Sequence, residues 1–106
     1  MTDAADTTIL SINLISSNPK VRGGRPCIVG TGLRVTDLMF AHLFHRRTAD
    51  ELASDYDLPI SHVYAALAYY YEHKAELDAD MREQIRIGNE AKEKGLGTRH
   101  APLLPR

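Results

Sequence analysis

The strongest constraint on the fold is a pair of helix start signals in the middle of the chain. Thr48 precedes Glu51 by three residues, the spacing of a capping box, in which each side chain accepts the other residue's backbone N–H. A break over residues 57–60 then precedes Ser61, another residue type that favours the N-cap. The sequence therefore predicts two helices joined by a tight turn, at about residues 49–56 and 62–73.

The second of these helices carries an apolar stripe. Val63, Ala66, Leu67 and Tyr70 fall at i, i+3, i+4 and i+7, the spacing of a buried helix face. An earlier helix is predicted over about residues 37–46, capped by Thr36, with Leu38, Met39 and Leu43 along one side and Phe40 and Phe44 along another. A short capped helix, a turn and a second capped helix form the layout of a helix-turn-helix.

The N-terminal third is predicted to be extended and turn-rich. Residues 9–15 alternate apolar and polar from position 10, which predicts a strand. Four of the seven glycines lie in residues 20–35, where two short extended pieces flank residues 30–32 like a hairpin. This stretch lacks the Gly-Lys-Ser/Thr ending of a phosphate-binding loop, so a structural turn is the favoured interpretation.

The last third begins as a charged helix over about residues 74–94. Leu77, Met81 and Ile85 lie four residues apart and form a narrow apolar seam. Two glycines and two prolines in residues 95–106 deny that segment a regular fold. The predicted fold is thus mainly α: a homeodomain-like three-helix core at 36–73, an N-terminal β and glycine-rich arm at 1–35, and a C-terminal helix and tail at 74–106.

Composition and charge narrow the functional classes. The net charge is −1, with an acidic segment at 35–73 between two weakly basic ends. Dedicated nucleic-acid binders are usually more basic, so DNA binding would draw on a dimer. No apolar run could span a bilayer, no secretory signal is evident, and the single cysteine, Cys27, cannot form an internal disulfide. We therefore expect a cytoplasmic protein that does not use a membrane.

The second helix of the helix-turn-helix would present its first turn to a major groove. Ser61 and His62 could hydrogen-bond base edges, with Ala65 beside them, and Tyr64 could contact a phosphate or a thymine methyl group. This helix has no arginine or lysine before Lys74, so positive charge would have to come from elsewhere. The predicted basic contributors are Arg46, Arg47, Lys20, Arg22, Arg25 and Arg34.

No catalytic or metal site is predicted. His42 and His45 lie three residues apart on a helix, but no third ligand follows at a suitable spacing, so a solvated helix face is favoured. The catalytic motifs of hydrolases and metalloproteases are absent from the sequence. We expect a protein that is not an enzyme and needs no cofactor.

Two stretches resemble domain-of-unknown-function family 433. They read GGRPCIVGTGLRV at residues 23–35 and ADELASDYDLPISHVYAALAYY at residues 49–70, and the resemblance covers about residues 16–73. The family pattern is GG-(K/R)-P-x-(I/V)-x-GT-R-(I/V)-x-V, then a (P/A)-E-E-(I/L) helix, then L-(S/T)-x-x-x-(I/V)-x-A-A-L-x-Y. This chain has Gly32 where the family usually has arginine, which leaves Arg34 to supply the basic group.

The resemblance implies a homeodomain-like fold and a role as the antitoxin of a toxin–antitoxin pair, opposite a PIN-like ribonuclease toxin. The region after residue 73 would then bind the toxin, since a basic tail can lie against the carboxylates of a nuclease cleft. The predicted partner-binding residues are Leu77, Met81, Ile85, Arg86, Leu96, Arg99, Leu103, Leu104 and Arg106.

Other functions remain open from the sequence. The chain could be a stand-alone transcriptional regulator whose long helix only dimerises. It could also be a protein-interaction module that never touches DNA, as the acidic segment at 35–73 would allow. A homodimer and operator DNA are therefore expected partners alongside the ribonuclease.

Overall fold

The structure, a computed structural model, describes residues 6–95. It is mainly α, with a short antiparallel strand pair near the N-terminus and a long C-terminal helix, as predicted. The strands are β1 (Ile15–Ser16) and β2 (Cys27–Ile28), and the helices are α1 (Val35–Phe44), α2 (Ala49–Asp55), α3 (Ile60–Glu72) and α4 (Lys74–Glu93). The chain divides into two compact units between Tyr69 and Tyr70, inside α3.

The predicted glycine-rich hairpin is confirmed. The N–H of Ile28 donates to the carbonyl of Leu33 at 2.9 Å, and the N–H of Thr31 closes the turn onto the carbonyl of Ile28 at 3.0 Å. Gly30 has φ +75°, a left-handed conformation that glycine adopts without steric cost. The hairpin leads directly into α1, since Val35 N–H donates to the carbonyl of Pro26 at 2.9 Å.

The predicted strand over residues 9–15 is wrong in extent. β1 comprises only Ile15–Ser16, which pair with Ile28 and Cys27 respectively. β2 is itself two residues long because Pro26 precedes it and the turn at Gly30 follows it, so it offers earlier residues little to pair with. Ile9, Leu10 and Ile12 are therefore left 78–87% exposed.

The predicted N-cap of α1 at Thr36 is also wrong. The helix begins at Val35 with Arg34 as N-cap, and Thr36 is buried in its first turn. The carboxylate of Asp37 accepts from the backbone N–H of Arg34 at 2.9 Å and from its guanidinium at 2.7 Å. A charged partner three residues ahead thus moved the helix start two residues earlier than the threonine indicated.

The capping box of α2 is confirmed: the Thr48 hydroxyl accepts from Glu51 N–H at 3.2 Å, and Glu51 Oε1 accepts from Thr48 N–H at 2.9 Å. Ser61 does not cap α3, because that helix already begins at Ile60. The carbonyl of Pro59 accepts the N–H of His62 at 3.0 Å, so the proline opens the first turn. Ser61 consequently lies within that turn.

The core of the first unit is apolar and fully buried. Its buried side chains come from β2, α1, α2 and the first part of α3: Cys27, Ile28, Val35, Leu38, Met39, Leu52, Val63 and Ala66. The predicted stripe of α3 is confirmed at Val63, Ala66 and Tyr70, while Leu67 is half-buried. Leu43 and Phe44, at the end of α1, are exposed.

Candidate functional site

Backbone contacts define the turn between α2 and α3, the two helices of the predicted helix-turn-helix. Asp57 has φ +55°, and the N–H of Leu58 donates to the carbonyl of Ala53 at 2.9 Å, which ends α2. Pro59 follows, and α3 starts at the next residue. These contacts fix where α3 begins.

The first turns of α3 expose the residues predicted to face bases. Ser61 is exposed and Tyr64 is 57% exposed, while His62 and Ala65 are half-buried. Ser61 Oγ lies 3.2 Å from His62 Nδ1, so these two polar groups satisfy each other. Ser61 and Tyr64 are three residues apart and share one helix face, because α-helical neighbours recur at i+3.

Several of the predicted basic residues form ion pairs within the chain. Arg47 binds Asp55 through two hydrogen bonds of 2.9 Å and lies 3.4 Å from Glu51. The side-chain hydrogen bond with Asp55, more than any other contact, raises the pKa of Arg47. A bidentate arginine–carboxylate pair is geometrically specific, so this guanidinium links the turn before α2 to the last residue of that helix.

A second set of ion pairs joins the hairpin to α1. Arg34 binds Asp37, and Arg22 lies 3.9 Å from the same carboxylate while its Nη1 donates to the carbonyl of Gly32 at 3.0 Å. Burial raises the pKa of Asp37, but the hydrogen bonds and charge of Arg34, together with Arg22, outweigh it and lower the pKa. Arg34 thus has a structural partner in the place where the family resemblance implied an available basic group.

The remaining predicted cations are dispersed. Arg25 is half-buried, whereas Lys20 and Arg46 are exposed. Within residues 6–95, no carboxylate lies within ion-pair distance of the side chains of Lys20 and Arg46. Arg46 has φ +56° and directly follows the end of α1, a position where helices usually carry glycine. Of the six predicted cations, Arg22, Arg34 and Arg47 therefore lie close to carboxylates of the chain itself.

His42 does not lie on a solvated face as expected. Its Nδ1 lies 2.8 Å from the carbonyl of Arg47 and fastens the turn between α1 and α2. Among the described residues, no cluster of three histidine, cysteine or acidic side chains could hold a metal ion. The same part of the chain contains no helix long and apolar enough to cross a membrane.

The start of α4 is anchored by a polar network within the second unit. The buried Tyr70 donates its hydroxyl to Asp78 Oδ1 at 2.7 Å, and Lys74 Nζ donates to Asp78 Oδ2 at 2.7 Å. The hydrogen bond from Lys74 and then that from Tyr70 are the main causes that lower the pKa of Asp78. Burial, followed by the Asp78 contact, raises the pKa of Tyr70.

The predicted partner-binding seam is only partly available. Leu77 and Met81 are 5% and 3% exposed, so they are already buried, whereas Ile85 is 43% exposed. Arg86 is exposed and pairs with Glu83 at 2.7 Å and Glu90 at 3.5 Å. The residues predicted beyond α4, namely Leu96, Arg99, Leu103, Leu104 and Arg106, lie outside the described residues.

One exposed apolar residue of α4 was missed. Ile87 is 50% exposed, and it stands outside the 77–81–85 spacing that led to the seam prediction. The sequence feature that could have identified it is an isoleucine on an otherwise polar helix surface, two residues after Ile85. From Arg82 to Glu93 no residue is buried.

A cavity of about 330 Å³ lies at the glycine-rich hairpin. Ser16, Val21, Cys27 and residues 30–32 contribute to its lining, and the exposed hairpin residues open it to solvent. The Thr31 hydroxyl forms its hydrogen bonds within the turn. It donates to the carbonyl of Ile28 at 2.8 Å and accepts from the N–H of Leu33 at 3.0 Å. Burial raises the pKa of the Cys27 thiol, which disfavours the reactive thiolate.

Comparison with known proteins yields one match. The sequence model of a family described as "Protein of unknown function (DUF433)" matches residues 15–70, from β1 to the buried tyrosine of α3. No curated protein and no solved structure matches the chain.

Proposed function

This chain belongs to the DUF433 family, and from that premise we propose that it is a cytoplasmic antitoxin that neutralises a PIN-like ribonuclease toxin through α4 and the residues after it. The observation that carries the proposal is the end of the apolar seam. The seam buries Leu77 and Met81 and then continues one turn further to Ile85, which is left 43% exposed. A docking protein would continue the burial along the same face.

The second half of α4 supports this assignment. Residues 82–93 remain helical without a single buried residue, and they include Gly88, which disfavours a helix by about 1 kcal/mol relative to alanine. Short isolated helices are marginal in water, so helical stability normally comes from packing against another surface. An amphipathic helix that lies in the groove of a partner gains that packing.

The chemistry of the sequence after α4 fits a nuclease. Leu96, Leu103 and Leu104 could fill apolar pockets, and Arg99 and Arg106 match the carboxylates that hold metal in PIN-like nucleases. Arginine binds carboxylates bidentately, so either guanidinium could occupy the acidic centre and block it. Inhibition would then combine helix docking with direct competition at the active site.

The test is a growth-rescue assay with the product of the adjacent reading frame, provided that frame encodes a PIN-like cluster of carboxylates. Full-length Ile85→Glu is compared with Ile60→Glu, a matched control because Ile60 is also a helix residue and is 40% exposed. We expect Ile85→Glu to lose about tenfold or more of the surviving colonies, since a buried charge without a partner strongly weakens an interface.

The control should rescue as the wild type does, and circular dichroism should show both variants folded. Full rescue by Ile85→Glu, or failure of the wild-type chain to protect cells, would contradict the proposal. An adjacent frame without an acidic nuclease pattern would favour a stand-alone regulator instead.

We propose promoter binding as a second function because Ser61 and Tyr64 are exposed on one face at the start of α3. Mobility shifts on the chain's own promoter fragment, repeated over a salt series, should show affinity that falls steeply with salt. Tyr64→Ala should weaken the complex, and Tyr71→Ala, a tyrosine of α3 that is 60% exposed, should not. A chain that shifts no promoter DNA at low salt is an interaction module only.

A further inference from the structure

We propose that two copies of this chain associate through residues 9–16, with β1 of one copy pairing antiparallel with β1 of the other about a two-fold axis at Asn13. This surface lies outside the helices used in the proposed function, and the inference does not depend on that function. It rests on an open strand edge, an exposed apolar segment and an adjacent cavity.

One edge of β1 has no strand beside it in the described part of the chain. Ile28 N–H donates to Leu33, so Ile15 and Ile28 are opposite each other without exchanging hydrogen bonds. In an antiparallel ladder, the N–H and C=O of such a residue point to the other side of the strand. The backbone groups of Ile15 and, two residues earlier, of Asn13 therefore face an edge that no strand within residues 6–95 occupies.

The exposed segment continues this edge. Leu10, Ile12, Leu14 and Ser16 alternate, so they share one face if the strand extends towards the N-terminus. Leu10 and Ile12 are 87% and 78% exposed, although their type and spacing match a buried strand face. Self-pairing gives this segment the strand partner that β2 is too short to offer.

A two-fold axis at Asn13 places complementary residues together. Ile12 of one copy lies opposite Leu14 of the other, which is half-buried, and Leu10 lies opposite Ser16. Ser16 is paired with Cys27, and both line the cavity of about 330 Å³. Leu10 of the second copy would therefore stand over an opening that has room for its side chain.

The chain's own Leu10 cannot fill this cavity through the same strand. It lies six positions before Ser16 in the sequence, about 20 Å away in an extended chain.

Disulfide trapping of full-length Asn13→Cys tests the register. Residues that exchange hydrogen bonds across an antiparallel pair have Cα atoms about 5.5 Å apart, within disulfide range. With diamide as oxidant, the two thiols lose two protons and two electrons to it and form one disulfide between the copies. Ile9→Cys is the matched control, because its two copies would lie about 26 Å apart.

We expect a covalent dimer from Asn13→Cys and none from Ile9→Cys, with Cys27 remaining buried and reduced in both. Equal crosslinking of the two variants would overturn the register. Analytical ultracentrifugation of the wild-type chain tests the association itself, and a monomer at about 100 μM, a concentration at which even weak specific contacts are visible, would overturn it.

The same measurement tests the cavity. Leu10→Asp should raise the dimer dissociation constant roughly tenfold or more, because it removes apolar burial and places a charge over the opening. Ile9→Asp should have a smaller effect, since Ile9 is 86% exposed but lies on the opposite face of the strand. If the two variants weaken the dimer equally, Leu10 does not occupy the cavity.

Discussion

Two charged regions of this protein differ in what their charges do. At the junction of the hairpin and α1, the side chains of Arg34 and Asp37 are 19% and 21% exposed and bind each other at 2.7 Å. On the second half of α4, Arg86 and Glu83 have the same separation but are 56% and 51% exposed. Partial desolvation makes the first pair a structural contact, whereas solvent and salt screen the second.

The apolar residues of these regions differ in the same way. Leu38 and Met39 of α1 are fully buried, while Ile85 and Ile87 of α4 are about half exposed. Similar sequence patterns, in which charges are mixed with regularly spaced apolar residues, can therefore build a core or leave a surface. The surface region is therefore the one that the proposed partner would contact.

The largest expected contrast comes from truncating one apolar residue in each region. Leu38→Ala should lower the free energy of unfolding by about 2–5 kcal/mol, because it removes buried contacts and leaves a cavity. Ile85→Ala should change it by less than about 0.5 kcal/mol. Urea denaturation followed by circular dichroism measures both, and comparable losses would mean that Ile85 is packed in the free chain.

A smaller effect is expected at the hairpin–α1 junction. Asp37→Asn keeps the shape but removes the charge that holds Arg34, and should cost about 1–2 kcal/mol at neutral pH. Because the folded pKa of Asp37 lies below its ordinary value of 3.8, its stabilisation is present above that value and is lost as the pH falls through the folded pKa.

The variant should therefore lose less stability than the wild type on acidification from about pH 5 to pH 2. Unfolding free energies measured at several pH values give the comparison. Parallel curves for the two proteins would show that the Asp37 charge contributes nothing.

The smallest effect is expected where α4 begins. Tyr70→Phe removes the hydroxyl that donates to Asp78 and should cost about 0.5–1.5 kcal/mol, the net value of one hydrogen bond. Tyr71→Phe is the matched control, because its side chain is 60% exposed and should be nearly neutral. Thermal melts of both variants test this. Equal melting temperatures would show that the Tyr70 hydroxyl does not stabilise the start of α4.

Local signals in the sequence were accurate where two neighbouring residues decide the structure. The Thr48–Glu51 capping box, the glycine hairpin and the spacing of Val63, Ala66 and Tyr70 all act within a few residues. The helix starts predicted from Thr36 and Ser61 were wrong because Asp37 and Pro59 act on the same turns. Here the stronger of two local signals, and not a distant contact, settled the boundary.

The candidate site was harder to predict because whether a side chain is free to contact a partner is not a local property. Ser61 and Tyr64 proved exposed as expected, but Arg34 and Arg47 were expected to be available cations and are held by Asp37 and Asp55. The partner of Arg47 lies eight residues away, across a whole helix. A sequence shows that an arginine is present, whereas only the packed chain shows whether its charge is already neutralised.

The sequence alone determined the mainly helical class, the two-helix block with its capped start, the hairpin before α1 and the membership in a family. These depend on residue type and spacing, which a linear pattern preserves. Only the tertiary structure decided that Leu77 and Met81 are buried while Ile85 is not, and that residues 9–12 have no strand to join within residues 6–95 of their own chain. Burial depends on what else approaches a side chain, and that is set by the whole fold rather than by the segment.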